Sequence, residues 1–287
     1  MTGRKSRVWI LLSIMLLVIA ASAQTKSQAT KKKTAPPSKP AVTEHAPPAL
    51  EPKAVELLKA MSDKLAAAHT LSFEALESFE SPSRQGHPLI YSIKSQVTLQ
   101  RPDKLRVITV GDGPSSEFYY DGKTMTAFAA KENLVAVADA PSTIDATLEA
   151  VYKLSGTYFP FTDLIVADPY KDAAPGMQLA YYIGQSQNVA DTTTDMVAYV
   201  GDGIFAQIWI GTEDKLPRLI HAVYLDDPEQ LRHNLFLSKW QLDPAVPADA
   251  FTNLNAANAK RISFAHPHPQ TPPGARPTEK PTSRKLK

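Results

Sequence analysis

Apolar and polar residues alternate along residues 89–138, and this alternation organises the middle of the chain. Side chains alternate across a β-strand, so the pattern predicts strands with one apolar and one polar face. A proline turn at residues 101–104 and the Asp121-Gly122 pair interrupt the alternation. The Asp-Gly pair predicts a type I′ hairpin turn, which requires positive φ at both central residues. The region therefore predicts a one-sided, curved antiparallel sheet.

Two stretches change to the spacing of helices. Residues 51–69 place apolar side chains on one helical stripe, and Pro52 fits the first turn of that helix. A second helix is predicted with Ser142 as its cap and Gly156 at its end. The next segment, residues 158–166, is apolar and aromatic. Two interpretations stay open for these central segments, because they either plug a core or form a lid over a cavity.

Strand patterns return after residue 177, and they raise the predicted total to about eleven strands. Asp202-Gly203 is a second hairpin sequence within this part of the chain. Two groups of strands with helices inserted near the middle predict an α+β fold.

The first 23 residues have the features of a cleaved secretory signal. Three basic residues come before an apolar run at residues 8–20, which is too short for a comfortable membrane span. Ala21-Ser22-Ala23 fits a cleavage site, so we expect an exported protein from which residues 1–23 are removed. An uncleaved anchor is the alternative. The chain has no cysteine, which excludes a lipoprotein, disulfides, a thiol nucleophile and thiolate metal sites.

Charge is unevenly distributed along the chain. Residues 51–259 carry a net charge of −11, whereas residues 24–50 carry +4 and residues 260–287 carry +6. The linker at residues 24–50 and the tail at residues 265–287 are rich in proline and basic residues, and both are predicted to be disordered. An acidic body with basic tails argues against nucleic-acid binding. The tails are either inert tethers or contacts to an anionic envelope surface.

The sequence patterns of catalysis are lacking. Residues 184–188 lack the final glycine of a nucleophile elbow, and the chain has no glycine motif for phosphate or dinucleotide binding. His266 and His268 form a possible metal-ligating pair, but no carboxylate lies near them in the sequence. The sequence therefore predicts no enzyme, no cofactor and no metal site.

Apolar and aromatic side chains remain as candidates for a binding site. Ligand sites are usually concave and mostly apolar, and in barrels they lie in the mouth. The residues predicted to line such a cavity are Phe73, Tyr91, Val107, Phe118, Tyr120, Phe128, Leu148, Tyr152, Phe159, Phe161, Trp209 and Trp240. The alternative is that these residues simply form the core.

Several short motifs follow one another in an order that resembles a known group. They are the N-terminal helix, Phe73 in the first strand, Arg101-Pro102-Asp103-Lys104-Leu105-Arg106-Val107, Asp121-Gly122-Lys123-Thr124, Trp209-Ile210, Leu216-Pro217-Arg218 and residues 247–251. Together they resemble the DUF2092 family of predicted periplasmic proteins, which is similar to the LolA-like lipoprotein-carrier superfamily. The resemblance covers about residues 51–264 and implies a periplasmic location.

The resemblance implies a fold and one positional role. The implied fold is an incomplete antiparallel β-barrel over residues 51–264, with an N-terminal helix and central lid helices that cover an apolar concave face. In the carriers, an arginine in an Arg-Pro turn tethers the lid helices. Arg101 occupies the matching position and is therefore expected to be a lid latch. The resemblance gives no role to Arg106 or Arg218.

Two functional hypotheses follow. In the first, an exported periplasmic protein holds a lipid, an acyl chain or a lipidated partner between a curved sheet and its lid. In the second, side chains fill the sheet, and the protein acts as an envelope scaffold or interaction protein through its surface and basic tails. The hypotheses differ in whether side chains occupy the space between the sheet and residues 144–166.

Overall fold

The computed structural model describes residues 49–265 of the chain. The predicted signal, almost all of the predicted linker and the tail from residue 266 lie outside the described residues. The processing and disorder assigned to them therefore stay predictions, as does the placement of the domain boundaries.

Twelve strands form a single sheet within the described residues. Its order is β12-β6-β5-β4-β3-β2-β1-β11-β10-β9-β8-β7, and neighbours are antiparallel except for the parallel pair β12 and β6. The strands are β1 Thr70–Ser81, β2 Leu89–Gln100, β3 Lys104–Gly111, β4 Ser116–Tyr120, β5 Thr124–Ala129, β6 Leu134–Asp139, β7 Met177–Val189, β8 Thr192–Gly201, β9 Ile204–Gly211, β10 Pro217–Tyr224, β11 Arg232–Leu242 and β12 Lys260–Ile262.

Helices come before the first strand and between the two halves of the sheet. Helix α1, Pro52–Ala67, precedes β1, and it packs against β7, β8 and the short helices α3 and α4. Between β6 and β7 lie α2, α3 and α4, which span Ile144–Ser155, Thr162–Ile165 and Pro169–Ala173. Among the described residues, none of the helices has the length and hydropathy needed to span a bilayer.

Strand register gives the sheet an apolar inner face. Phe73 pairs with Val97, Val97 with Val107, and Val107 with Phe118, so these four side chains form one row across β1 to β4. All four are buried and belong to the main core. We call the face that carries this row the inner face and the opposite one the outer face.

Strands far apart in the sheet contribute to the same core. Met125 on β5 and Ala180 on β7 are both fully buried in it, although eight strands separate β5 from β7. The sheet therefore curls around the helices. Its two edge strands, β7 and β12, do not pair with each other, so the sheet does not close into a barrel. The predicted incomplete antiparallel β-barrel with an N-terminal helix and central helices is confirmed, with twelve strands instead of about eleven.

The two predicted hairpin turns have different geometries. Asp202 and Gly203 have φ values of 48° and 75°, as a type I′ turn requires. At the other turn, Gly122 has a positive φ of 95° but Asp121 does not. The carboxylate of Asp121 instead accepts hydrogen bonds from the backbone N–H groups of the next residues, including Thr124 at 2.8 Å. The type I′ prediction is therefore wrong at Asp121, where a side chain organises the turn.

Helix α2 begins one residue later than predicted. Thr143, not Ser142, is the cap, and its hydroxyl accepts a hydrogen bond from the N–H of Ala146 at 3.3 Å. The prediction of Ser142 as the cap is wrong, although both residues carry the hydroxyl that a cap needs. Gly156 ends the helix with a positive φ of 70°, as predicted.

Candidate ligand-binding recess

The inner face has a packed end that the helices close. We call residues 144–166 the lid. From it, Ile144, Val151, Phe161 and Ile165 are almost completely buried against the sheet and α1. The lid therefore closes this end with its own side chains.

Five aromatic rings form a continuous plug at the packed end. Phe118 on β4 lies 5.4 Å from Phe159 of the lid, measured between ring centroids, and Phe159 lies 5.7 Å from Phe161. Phe161 meets Phe73 edge-on at 5.6 Å, and Phe73 stacks on Trp240 at 4.4 Å. Such contacts add stability beyond the burial of apolar area. The plug spans the sheet from β4 to β11.

Most of the residues predicted to line a cavity are part of this packed end. Their shared property is low solvent exposure, and they are Phe73, Val107, Phe118, Tyr120, Leu148, Phe159, Phe161 and the partly buried Trp240. These side chains occupy the space that the cavity hypothesis assigned to a ligand. At this end of the sheet, these residues are part of the hydrophobic core.

Phe128 and Trp209 lie on the outer face, so the prediction that they line an inner cavity is wrong. Phe128 pairs with Glu117, whereas the inner-face residue Phe118 pairs with the neighbouring Ala127. Trp209 lies between Ile208 and Ile210, two buried residues whose side chains are in the main core. Adjacent residues of a strand face opposite sides, which excludes both aromatic residues from the inner face.

The opposite end of the inner face carries an exposed aromatic row. Tyr91 on β2 stacks on Phe79 of β1 at 5.9 Å, and Phe79 stacks on His233 of β11 at 6.1 Å. Tyr224 on β10 meets His233 edge-on at 5.4 Å. Tyr91 and Tyr224 are each 37% exposed, and an open hollow of about 340 Å³ adjoins Phe79 and Tyr91. Unlike the plug, this row borders free space.

Two tyrosines of the lid are also exposed. Tyr152 is 41% exposed and Tyr158 is 51% exposed. Burial nevertheless raises the pKa of Tyr158, which is also raised by the carboxylate of Asp163 and by Tyr224. We call the open end of the inner face, at the aromatic row and these lid tyrosines, the recess.

Several ionisable side chains near the recess have raised pKa values. Burial raises the pKa of Asp163, and Asp172 raises it further. Burial and Asp163 together raise the pKa of Tyr199 on β8 to about 12, so its hydroxyl is neutral. Glu77 on β1 also raises the pKa of Tyr158, and its Oε1 lies 3.6 Å from Nδ1 of His233.

Arg101 joins two helices behind the plug. One terminal nitrogen donates to the backbone oxygen of Ile165 at 3.0 Å, and the other donates to that of Leu65 at 3.5 Å. These oxygens lie in the last turns of α3 and α1, where carbonyl groups lack helical partners. Burial lowers the pKa of Arg101, and Asp145 partly offsets this effect. The contacts place Arg101 where a latch would act, while its release stays a prediction.

The two other arginines make local contacts. The guanidinium of Arg106 lies 5.9 Å from the ring centroid of Tyr119 on the outer face. Arg218 forms an ion pair with Asp214 in the turn before β10. Neither residue reaches the recess through these contacts.

Comparison with known proteins places the chain in a family. A family model described as "Predicted periplasmic protein (DUF2092)" matches residues 54–265. The chain belongs to this family. No curated protein matches it. The family description agrees with the predicted periplasmic location, whereas cleavage after residue 23 lies beyond what it describes.

Several solved structures are similar to this DUF2092 protein. MucB has 12% identity and a TM-score of 0.38, with 72% of this chain and 65% of MucB covered, so this chain spans less than two thirds of MucB. A putative outer membrane lipoprotein-sorting protein domain from Vibrio parahaemolyticus has 10% identity and a TM-score of 0.35, covering 70% and 96%. The LolA superfamily protein NE2245 from Nitrosomonas europaea has 10% identity and a TM-score of 0.30, covering 70% and 97%.

Of the residues at the open end, the sequence analysis named Tyr91 and Tyr152 as candidates and did not name the others. The missed residues are Glu77, Phe79, Tyr158, Asp163, Tyr199, Tyr224 and His233. One pattern in the sequence could have indicated two of these residues. Glu77 and His233 are polar, yet they occupy the alternate strand positions whose other side chains form the apolar inner face.

We expect Phe161→Ala to lower the free energy of unfolding by about 3–5 kcal/mol, because a fully buried ring leaves a cavity in the plug. Tyr158→Ala, a change in a half-exposed ring of the recess, is expected to cost less than about 1 kcal/mol. Urea denaturation of both variants measures the difference. Equal costs would show that the plug and the recess are not physically distinct.

We expect Asp163→Asn to raise the melting temperature at pH 7.5. The pKa of Asp163 is raised in the folded protein, so its ionised form is less favourable there than in the unfolded chain. The penalty shrinks as pH falls through the raised pKa and is lost below the unfolded pKa, so the two proteins should converge near about pH 3, where aspartate is largely protonated in both states. Thermal melts across this pH range measure the effect.

Glu149→Gln is the control for that experiment. Glu149 is an exposed carboxylate on α2 that forms an ion pair with Lys153, so its removal should not stabilise the protein. A lower melting temperature for Asp163→Asn at pH 7.5 would contradict the expectation, because it would mean that the carboxylate stabilises the fold.

Proposed function

We propose that this DUF2092 protein is an exported binding protein that holds the apolar chain of a lipid or of a lipidated partner in the recess. The observation that carries the proposal is the aromatic row, whose Phe79 and Tyr91 border an open hollow of about 340 Å³. The chain lies between the lid and the row formed by Tyr91, Phe79, His233 and Tyr224. Binding removes both the chain and the exposed rings from water.

The hydrophobic effect supplies enough free energy for such binding. Each methylene group that leaves water contributes about 0.8 kcal/mol. Association and ordering consume part of this gain, so a single chain gives reversible binding and not permanent capture. A soluble carrier needs reversible binding, because it must also release what it holds.

The plug limits where the chain can lie. Phe159 and Phe161 fill the inner face beside the recess, so the ligand occupies the open end alone while the lid stays in place. Deeper entry requires the lid to move away from the sheet. In the proposed function, Arg101 is the latch that opposes this movement, because its guanidinium holds the last turns of α1 and α3 together.

A second candidate function is binding of a protein partner through the outer face. Trp209, Leu219, Phe236 and Leu76 are direct cross-strand neighbours there, in a row across β9, β10, β11 and β1. Phe236 is 43% exposed and Leu76 is 42% exposed. An exposed apolar row of this kind suits an interaction surface.

The experiment that tests lipid binding is a titration of the mature chain with maltosides whose alkyl chains run from octyl to tetradecyl, below their micelle concentrations. Calorimetry should show that each added methylene tightens Kd by about threefold to fourfold. Tyr224→Ser should weaken binding by about tenfold through loss of a recess ring, while Phe236→Ser, a change on the outer face, should have no effect. A Kd that is independent of chain length would overturn the proposal and leave the outer-face function.

The latch is tested by Arg101→Met, which keeps the side-chain length and removes both hydrogen bonds. We expect faster amide hydrogen exchange in α2 and α3, and a ligand dissociation rate raised several-fold, with little change in β1 to β3. Arg106→Met, an outer-face change on β3, is the control. Faster exchange throughout the protein would instead show that Arg101 stabilises the whole fold and does not gate the lid.

A further inference from the structure

The outer face carries a polar hollow that the proposed function does not use. The hollow has a volume of about 220 Å³ and lies over β1, β2, β3 and β11. Gln241, Ser72, Thr98 and Arg106 are direct cross-strand neighbours there, and all four residues line it. Water occupies about 30 Å³ per molecule in the liquid, so the hollow has room for a small ion with several heavy atoms. Because its walls are strands of one sheet, its polar groups are held in place.

Arg106 brings a positive charge to this hollow without a partner from the protein. Its Nε atom is buried and has no hydrogen-bond acceptor in the part of the chain that the structure describes. Arg106 also forms no salt bridge with any carboxylate of residues 49–265. A buried donor without an acceptor destabilises a fold, so a group of this kind indicates that an acceptor comes from elsewhere.

Carboxylates on the neighbouring strands are already engaged with other groups. Glu74 lines the hollow, but it accepts a hydrogen bond from Nζ of Lys239 at 2.9 Å. Glu117 on β4 accepts one from the hydroxyl of Tyr119 at 2.7 Å. Tyr119 gives Arg106 an aromatic neighbour, with 5.9 Å between the guanidinium and the ring centroid. A ring at this distance attracts a cation weakly and does not replace an acceptor.

A β-bulge turns a second cation toward the same hollow. The pairing of β1 with β11 shifts at Lys239, which has a positive φ of 55°. Such a φ is unfavourable for a side chain like lysine, and a bulge changes the direction in which a side chain points. Lys239 lines the hollow, whereas the next residue, Trp240, packs against the core of the inner face. With Arg106 and Lys239 against Glu74, the lining residues carry one positive charge in excess.

We propose that this hollow is a second binding site, which takes the phosphate group of a small phosphate ester, with Arg106 as its main contact. Guanidinium groups bind phosphate through paired, charge-assisted hydrogen bonds. The hydroxyls of Ser72 and Thr98 and the amide of Gln241 add neutral donors from three further strands. Donors that surround a hollow suit a tetrahedral anion better than a planar one. The site lies on the face opposite the recess, so the inference goes beyond the proposed function and does not depend on it.

The test is a calorimetric titration of the mature chain with glycerol 3-phosphate, inorganic phosphate and acetate. We expect both phosphates to bind and acetate to bind at least about tenfold more weakly, because a carboxylate accepts fewer hydrogen bonds and carries less charge. Sedimentation with phosphatidylcholine vesicles, with and without phosphatidic acid, distinguishes the two sources of a phosphate group. Binding to the vesicles with phosphatidic acid but not to the free phosphates would assign the site to a lipid head group.

Two substitutions should change the affinity for glycerol 3-phosphate in opposite directions. Arg106→Met should raise Kd by at least about tenfold, because the charge-assisted hydrogen bonds are lost. Glu74→Gln should lower Kd by about threefold or more, because it removes a negative charge and releases Lys239. A purely structural role would not give opposite changes. Arg232→Met is the control, because Arg232 is already paired with Glu80 and should leave Kd unchanged.

Thr98→Val is the second variant if Arg106→Met lowers the melting temperature. It removes one hydroxyl from the hollow and should raise Kd several-fold. Absence of binding to both free phosphates and to the vesicles overturns the inference, as does equal affinity for acetate and phosphate. Binding that is unchanged in Arg106→Met also overturns it, because the basic residues of 24–50 and 260–287 would then hold the anion. The maltoside titration tests the recess separately, so each proposal can fail alone.

Discussion

The contact between the lid and the inner face of an open sheet determines the rest of this structure. A sheet that curls without closing exposes an apolar concave surface, and that surface must be covered for the protein to stay folded and soluble. The lid covers one end with Phe159 and Phe161, which continue the stack from Phe118 to Trp240. It leaves the other end to solvent. The division into plug and recess follows from how far the lid reaches.

Exposed aromatic rings and an inward carboxylate at the open end do not favour folding. Glu77 takes a position on the inner face that an apolar residue would fill, and half-exposed tyrosines keep apolar surface in contact with water. A fold selected for stability alone would place apolar residues there and extend the plug. The plug stops at the point where polar groups begin, and this is the part of the inner face where the proposed function puts the ligand.

Alternation within single strands predicted the sheet and its apolar face, and helical spacing predicted the central helices, because each of these patterns is local. It failed at Phe128 and Trp209, where apolar residues lie on both faces of the strand. In β9 the run Ile208, Trp209, Ile210 contains no polar residue to mark the parity. The recess was largely missed for a related reason. Its residues come from β1, β8, β10, β11 and the lid, and no short window of sequence brings them together.

The plug and a ligand compete for the same kind of surface. Moving the lid away from the sheet would expose Phe159 and Phe161 to water, which costs about 2–3 kcal/mol for each ring. An alkyl chain that entered the vacated space would restore a similar apolar contact, so ring and chain are nearly interchangeable in free energy. Under the proposed function, the hydrogen bonds of Arg101 to the last turns of α1 and α3 would then decide the balance, because opening would break them and a ligand chain could not replace them. A short chain would leave them intact, whereas a chain longer than the recess would have to compensate for their loss.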